Sequence, residues 1–176
     1  IKKGMEYTEL IGKRESLRNY DPDRPVPDEV LRRILNAGRI APSAHNNQPW
    51  KFIVVSSPEL LSKVKMCYQR EWIRDAPLIL VVAGLRNEAW TRDYDGFNSV
   101  ETDAAIALTH IILAAENEGV GSCWIMAYTP LALKEALDLD DNHQIFGITP
   151  LGYPKQGYLR TAVKKRKPLK EIVEFL

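Results

Sequence analysis

The pattern of hydrophobic and polar positions predicts one long, buried helix in the second half of the chain. Apolar side chains occupy nearly every position of residues 104–115, where only Thr109 and His110 interrupt them. This stretch is shorter than the roughly 20 residues needed to cross a bilayer, so it indicates a helix inside the protein. Because its apolar residues lie on more than one face, the helix predicted over residues 102–118 should be enclosed by other elements or by a second subunit.

Capping and breaking residues mark the ends of this helix and of an earlier one. Thr102 or Asp103 is the expected N-terminal cap of the long helix, and Gly119 is expected to end it. An amphipathic helix is predicted to begin at Pro27 and to end no later than Ala41, because a proline follows directly. Its apolar and arginine-bearing faces indicate a helix on the protein surface.

The remaining pattern predicts strands that alternate with helices. Runs rich in β-branched residues, each bounded by Gly, Pro or Ser, are typical of short strands. The predicted strands span residues 51–56, 78–83, 122–127 and 144–151, and two further predicted helices span residues 58–68 and 131–137. This alternation favours one domain of the α+β class over residues 5–176.

The composition is that of an ordinary globular protein. Hydrophobic residues make up 45% and charged residues 27% of the 176 positions, which argues against a disordered chain, a collagen-like fibre or a disulfide-stapled miniprotein. The 24 Lys and Arg residues nearly balance the 23 Asp and Glu residues, for a formal net charge of +1. Any anion-binding role must therefore come from a local cluster, and general nucleic-acid coating is disfavoured.

The two cysteines and residues 1–10 indicate the cellular compartment in which the protein is expected. Cys67 and Cys123 form no Cys-x-x-Cys pair and have apolar neighbours. We therefore expect buried thiols in a reducing compartment and no metal site or disulfide. Residues 1–10 lack the apolar core of a signal peptide, and no segment is long enough to span a membrane. The sequence thus predicts a cytoplasmic protein without a membrane partner.

Four polar segments are not explained by amphipathic packing, and the first lies near the N-terminus. Arg14 and Arg18 stand four positions apart with the Ser16 hydroxyl between them. Arginine is the side chain that holds a phosphate through two parallel hydrogen bonds. The segment taken alone favours the alternative, a solvated charged turn.

The second segment, residues 41–50, places a hydroxyl and three carboxamides between two prolines, directly before a predicted strand. Carboxamides offer a donor and an acceptor on one planar group, which suits a flat heterocycle with carbonyl and imide edges. The prolines lower the entropy cost of holding such a loop in place. A polar turn is the alternative. The polar residues of this loop are Ser43, His45, Asn46, Asn47 and Gln48.

The third and fourth segments are a glycine pair and a basic cluster. Gly119 and Gly121 follow a helix and precede a strand, the reverse of the order in a dinucleotide-binding fingerprint, so they indicate mainly a helix stop. Residues 164–167 concentrate four positive charges near the C-terminus. This cluster could be a solvated tail, a nucleic-acid patch or a phosphate clamp.

Together the four segments resemble the nitroreductase family of FMN-dependent oxidoreductases, over about residues 7–173. The family's Arg-x-Ser-aliphatic-Arg opening, its Ala-Pro-Ser-Ala-x-Asn-x-Gln-Pro-Trp block, its Gly-x-Gly strand entry and its basic C-terminal clamp all occur here in order. They correspond to residues 14–18, 41–50, 119–124 and 164–169. Four ordered matches are more specific than any one of them.

The resemblance implies a role for each matching residue. Those expected to hold the FMN phosphate are Arg14, Ser16, Arg18, Lys164 and Arg166. Those expected to line the isoalloxazine ring and ribityl chain are Pro42, Ser43, Asn46 and Gln48. Main-chain groups of Met126 and Ala127 are expected to approach flavin N5. Some relatives carry Glu-Gly at that last pair, so the donor to N5 stays open.

The resemblance also implies the architecture and the reaction. The family has a small antiparallel sheet flanked by helices and forms an intertwined homodimer with two FMN sites at the subunit interface, where the long helix packs. NADH or NADPH would deliver hydride to N5, and a nitroaromatic, quinone or similar small molecule would then take the electrons. No side chain is assigned as acid, base or nucleophile. Residues 86–100, with Trp90, Tyr94 and Phe97, would either control substrate access or cover the core.

Three alternatives remain open at this stage. The same fold supports flavin enzymes that dehalogenate iodotyrosine or fragment reduced flavin, although these usually carry a lid that this short chain lacks. A non-catalytic FMN-binding module would bind flavin without oxidising NAD(P)H. A nucleic-acid binder that uses residues 164–167 would be colourless and would bind oligonucleotides in a salt-dependent way.

Overall fold

A computed structural model of the chain describes residues 5–160 and 163–176. Helices and strands alternate in the middle of the chain, as the hydrophobic pattern predicts. The helices are α1 (Tyr7–Lys13), α2 (Asp28–Arg39), α3 (Pro58–Met66), α4 (Val100–Asn117) and α5 (Pro130–Ala136), and the strands are β1 (Trp50–Val55), β2 (Leu78–Leu85), β3 (Gly121–Ser122) and β4 (His143–Gly152).

The four strands form one antiparallel sheet in the order β1-β2-β4-β3. Strand β2 lies between β1 and β4, and its side chains alternate between two apolar clusters. Leu80 and Val82 pack with α2 and α4 on one face, whereas Ile79 and Val81 pack with α3 and α5 on the other. This alternation is the period of two that a doubly covered strand requires. The sheet therefore separates two helical layers, and the α+β class is confirmed.

The predicted strand over residues 122–127 is wrong in length, because β3 contains only Gly121 and Ser122. Ile125 exchanges two backbone hydrogen bonds with Ile148 of β4, in the register that β3 begins. Between these points the ladder places Cys123 opposite Pro150, which has no N–H to donate. The Pro150 carbonyl instead accepts from the Tyr20 hydroxyl at 3.2 Å. A proline on the partner strand thus interrupts the pairing.

Helix α4 begins two residues earlier than predicted, with Ser99 as its N-terminal flanking residue. Asp103 lies in the first turn, and its carboxylate accepts from the Ser99 hydroxyl at 2.7 Å. The prediction of Thr102 or Asp103 as the cap is therefore wrong. The predicted stop is confirmed, because Gly119 follows the helix with φ +75°, a conformation that glycine adopts at low cost.

One stripe of α4 is not covered within the described residues. Ile106, His110 and Leu113 recur at helical spacing and are only half-buried, while the opposite face contributes Ala104, Leu108 and Ile111 to the core. The helix is therefore enclosed on the sheet side but not on every side.

Two further features concern the cysteines and the lengths of the helices. Cys67 and Cys123 are buried free thiols, and burial raises the pKa of both. Within the described part of the chain, no helix combines the length and apolar character that crossing a membrane requires.

Candidate functional site

A cavity of about 550 Å³ brings the two ends of the chain together. Five predicted residues, from positions about 150 apart in sequence, share its wall: Arg14, Ser16, Arg18, Lys164 and Arg166. Lys165 lies there too, so five of the side chains around this cavity carry positive charge. We call it the basic cavity.

The N-terminal wall of the basic cavity is held by backbone pairing with β3. Ser16 forms a parallel bridge with Ser122, and the N–H of Leu17 donates to the Ser122 carbonyl at 2.9 Å. Leu17 is buried directly against Gly121, where an added Cβ would lie 2.1 Å from a Leu17 methyl carbon. The second glycine of the Gly-x-Gly segment is therefore needed for the close approach of this wall.

The C-terminal wall is held by polar contacts that sequence reasoning missed. Arg160 donates to the Lys13 carbonyl at 3.1 Å and forms an ion pair with Glu116, which is buried at the last turn of α4. The Tyr158 hydroxyl donates to Glu15 at 2.9 Å. No motif marks these residues in the sequence, since their partners lie 44 to 147 positions away.

Positive charges outnumber negative charges around the basic cavity. The Lys164 ammonium donates to the Ile11 carbonyl at 2.6 Å. Partial burial lowers its pKa, and the neighbouring Arg14 and Arg166 cations lower it further. The nearest carboxylates, Glu15 and Glu116, already pair with Arg160. The cavity therefore favours an anion with more than one negative charge.

The carboxamide loop, residues 42–48, has an unusual backbone. His45, Asn46 and Gln48 have φ values of 51°, 57° and 53°, a left-handed region that costs energy for residues other than glycine. The Ser43 hydroxyl accepts from the Gln48 N–H at 2.9 Å, and the Gln48 carboxamide donates to the Asn46 carbonyl at 3.0 Å. These local hydrogen bonds keep the carboxamides in place at the surface.

Contacts from outside the loop fix its position, and one of them is the hydrogen bond that the Asn47 carboxamide donates to the Glu88 carbonyl at 3.0 Å. The buried Asp103 carboxylate, only 2% exposed, accepts from the Ala44 N–H at 2.9 Å. The His45 ring stacks on Trp90 with centroids 5.3 Å apart and planes 11° apart. Sequence reasoning treats Asp103 only as a candidate helix cap. His45 is exposed on one side, but its other face is covered by Trp90.

The segment that carries Trp90 does not cover the core. Tyr94 and Phe97 are 83% and 44% exposed, and the Arg92 guanidinium lies 5.1 and 4.9 Å from their ring centroids. The segment is closed by a bridge between Thr91 and Asn98. Its aromatic side chains are thus available to contact other molecules.

Met126 and Ala127 follow the point where Ile125 bridges β4. Both are exposed, and Tyr128 anchors the next turn by donating to the Ile145 carbonyl at 2.7 Å. Among the described residues, neither backbone N–H at 126 or 127 has a hydrogen-bond partner. Because β3 starts beside Ser16, these free donors lie a few residues along the chain from the basic cavity.

The basic cavity and the carboxamide loop lie at opposite ends of α4. The loop is tied to Asp103 in the first turn, whereas the cavity wall is tied to Glu116 in the last turn. At 1.5 Å per residue these anchors are about 20 Å apart. Within one protomer, the structure therefore brings the predicted phosphate residues together but does not bring Pro42, Ser43, Asn46 or Gln48 to them.

Comparison with known proteins shows which family shares this sequence and fold. The chain matches the sequence profile of the Nitroreductase family over residues 11–70 and 62–153. The chain belongs to the Nitroreductase family. It is 35% identical, over 155 residues, to a candidate NADH dehydrogenase/NAD(P)H nitroreductase of Archaeoglobus fulgidus, covering 85% of this chain and 86% of that protein.

Two further relatives show the breadth of the family. A solved nitroreductase family protein of Clostridium difficile 630 superposes with a TM-score of 0.89 at 34% identity, over 97% of this chain and 98% of that one. An iodotyrosine deiodinase of Haliscomenobacter hydrossis is 25% identical over 191 residues, covering 89% of this chain and 83% of that protein. The chain is an oxidoreductase of this family, and the predicted fold is confirmed.

Proposed function

We propose that this protein is an FMN-dependent oxidoreductase that takes hydride from NADH or NADPH and passes the electrons to a nitroaromatic, quinone or similar acceptor. Family membership and the NAD(P)H-linked name of the Archaeoglobus relative support this proposal. The observation that carries it is the convergence of Arg14, Arg18, Lys164 and Arg166 on one cavity.

The basic cavity fits the phosphate end of FMN. A phosphate monoester carries a charge of about −1.5 to −2 at neutral pH and binds best where several cations meet. The two arginines of the N-terminal wall can each supply a planar fork, Ser16 can supply a hydroxyl, and Lys164 and Arg166 can close the opposite side. Bound phosphate would also relieve the repulsion that lowers the pKa of Lys164.

The ring end of FMN would meet two features of the chain. The free N–H groups at Met126 and Ala127 lie on the same protomer as the phosphate residues and are available as donors to N5. The carboxamides of Asn46 and Gln48 suit the carbonyl and imide edge of the ring. Because the loop that carries them is about 20 Å away along α4, the loop at each flavin would come from a second copy.

We therefore propose a homodimer in which the half-buried stripe of α4 packs against its own symmetry mate. An antiparallel pairing of the two α4 helices places the first turn of one beside the last turn of the other, which joins each basic cavity to the partner's carboxamide loop. The exposed Tyr7 and Ile11 of α1, which packs on α4, would extend this apolar surface.

The chain's own residues would bind and orient the reactants. FMN, when bound, supplies the atom that accepts and releases hydride. The cations of the basic cavity would hold its phosphate, and the backbone at 126–127 would orient the ring. Tyr94 and Phe97, exposed beside Trp90, would offer apolar surface to an aromatic acceptor.

The experiment that tests this proposal is spectroscopic. Purified protein supplied with FMN should bind one flavin per chain, lose the flavin absorption band when NADH or NADPH is added without oxygen, and regain it with a nitroaromatic or quinone. Protein that binds flavin but is not bleached would be a non-catalytic binding module. Protein that binds no flavin but binds an oligonucleotide through residues 164–167 would overturn the proposal.

The similarity to iodotyrosine deiodinase favours one second candidate, reductive dehalogenation. The same reduced protein should be offered a halogenated tyrosine beside a quinone. Faster reoxidation by the halogenated compound, with release of halide, would favour that reaction.

A further inference from the structure

A second cavity lies away from the basic cavity and the carboxamide loop. It measures about 720 Å³ and opens where β1 ends and β2 begins, between α3 and the short turn Glu71–Asp75. None of its wall residues lines the basic cavity. A volume in the range of 300–1,000 Å³ is typical of small-molecule sites.

Three cations and no carboxylate line this cavity. Lys65 stands on α3, and Arg70 and Arg74 stand at the start and near the end of the turn, four positions apart. Two acidic groups lie nearby, and one of them pairs with a cation of this cavity. Asp75 accepts from Lys155 at 2.7 Å, and Glu71 forms an exposed pair with Arg74 at 3.3 Å.

Of the three cations, Arg74 is paired with Glu71, and the other two form no ion pair among the described residues. In the part of the chain that the structure describes, the Arg70 side chain has no hydrogen bond or ion pair. The Lys65 ammonium donates to the Arg74 carbonyl at 2.7 Å. Burial lowers the pKa of Lys65 although Asp75 acts in the opposite direction, so the charged form is partly desolvated without a bound partner. An anion in the cavity would supply that partner.

The rest of the wall is apolar with a few hydroxyls. Leu61, Met66 and Pro77 provide apolar surface, and Ser62 and Tyr68 provide hydroxyl groups. Inorganic phosphate would fill only a small part of this volume. The combination fits a ligand with a doubly charged head and a flat or apolar body.

We propose that this cavity binds a small organic phosphate, with the phosphate held by Lys65, Arg70 and Arg74 and the body lying against Leu61, Met66 and Pro77. Two guanidinium groups match the oxygen atoms of a phosphate better than they match those of a single carboxylate. This site does not depend on the flavin proposal, because it shares no residue with the basic cavity.

Calorimetric titration of AMP, adenosine and inorganic phosphate into the FMN-saturated protein tests the proposal. AMP should bind once per chain, and at least tenfold more tightly than either adenosine or phosphate. Arg70→Gln and Arg74→Gln should each weaken AMP binding by at least tenfold without releasing FMN. Arg32→Gln, which removes the same charge from the exposed face of α2, should change nothing.

Three results would overturn the proposal. They are no AMP binding at millimolar concentration, AMP binding that is unchanged in Arg70→Gln, and phosphate binding as tightly as AMP. If the protein does not retain FMN, the titration is repeated in Arg166→Gln, whose basic cavity is weakened. AMP binding that disappears in Arg166→Gln but persists in Arg70→Gln would assign the nucleotide to the basic cavity instead. These variants distinguish a failure of the flavin proposal from a failure of the organic phosphate proposal.

Discussion

The basic cavity and the carboxamide loop are built in different ways. The cavity gathers charged side chains from both ends of the chain, and most of these side chains are exposed. The loop comes from one short segment whose left-handed backbone is held by its own hydrogen bonds, one buried carboxylate and one ring stack. Substitutions in the cavity should therefore affect ligand binding with little effect on folding, whereas substitutions that free the loop should affect folding as well.

The largest effect is expected from Arg14→Ala combined with Arg166→Ala. Each guanidinium removed from a phosphate costs about 2 kcal/mol, so FMN binding should weaken by a factor on the order of several hundred. Titration of FMN into the apoprotein measures the change. Thermal unfolding without FMN should stay close to that of the unsubstituted protein, and Arg32→Ala with Arg39→Ala serves as the charge-matched control. A large fall in stability with unchanged FMN affinity would show that these arginines serve folding and not ligand binding.

Asp103→Ala should lower the stability of the protein, in contrast to the arginine substitutions. It leaves the Ala44 N–H and the Ser99 hydroxyl without their acceptor, and each unsatisfied buried group costs about 1–3 kcal/mol. The free energy of unfolding should fall by about 3 kcal/mol, measured by urea denaturation. Asp103→Asn keeps one acceptor oxygen and should lose less, and exposed Asp93→Ala should lose nothing. Equal stability of Asp103→Ala and Asp93→Ala would show that the loop needs no buried anchor.

A smaller effect is expected from Trp90→Ala, which removes the stack on His45 but leaves the Asp103 hydrogen bond. Aromatic pairs contribute about 0.5–1.5 kcal/mol beyond the area they bury. Stability should fall by about 1 kcal/mol, and the KM for an aromatic acceptor should rise while FMN content stays constant. Trp90→Phe should restore most of both. Loss of FMN in Trp90→Ala would place Trp90 in the flavin site itself.

The smallest effect is a pH dependence at Lys164. Burial and the Arg14 and Arg166 cations lower the pKa of this ammonium in the apoprotein, so it loses its charge at a lower pH than an ordinary lysine. Since only the charged form attracts phosphate, FMN affinity should decline as pH rises toward 10, by roughly two- to threefold. Lys164→Arg keeps its charge and should remove this part of the decline. An identical pH profile in both proteins would show that Lys164 does not contact the phosphate.

The elements that the sequence predicts well are those set by local patterns. The apolar residues of α4 and the proline at the start of α2 are local signals, and both helices form close to their predicted bounds. The basic cavity is implied by the family resemblance that the charged motifs at both ends of the chain help to carry. The roles of Tyr158 and Arg160, which hold its C-terminal wall, do not follow from the sequence, because they depend on partners that only the fold brings near.

The misses have the same origin. Residues 122–127 carry a strand-like composition, but the proline opposite Cys123 on β4 removes the hydrogen bond that would continue the ladder. The role of Asp103 is hidden because it contacts Ala44, a residue 59 positions away. The left-handed φ values of His45 and Gln48 could not be predicted, because neither position is a glycine.

In the proposed dimer, each flavin would be held by the basic cavity of one protomer and the carboxamide loop of its partner. The most direct test mixes two inactive variants. One is Arg14→Ala with Arg166→Ala, and the other is Asn46→Gly with Gln48→Gly, which removes both carboxamides and keeps the left-handed backbone accessible. Each variant alone should retain little FMN, and exchange of subunits should restore one intact site in each mixed dimer. Flavin content that does not rise on mixing would contradict the claim.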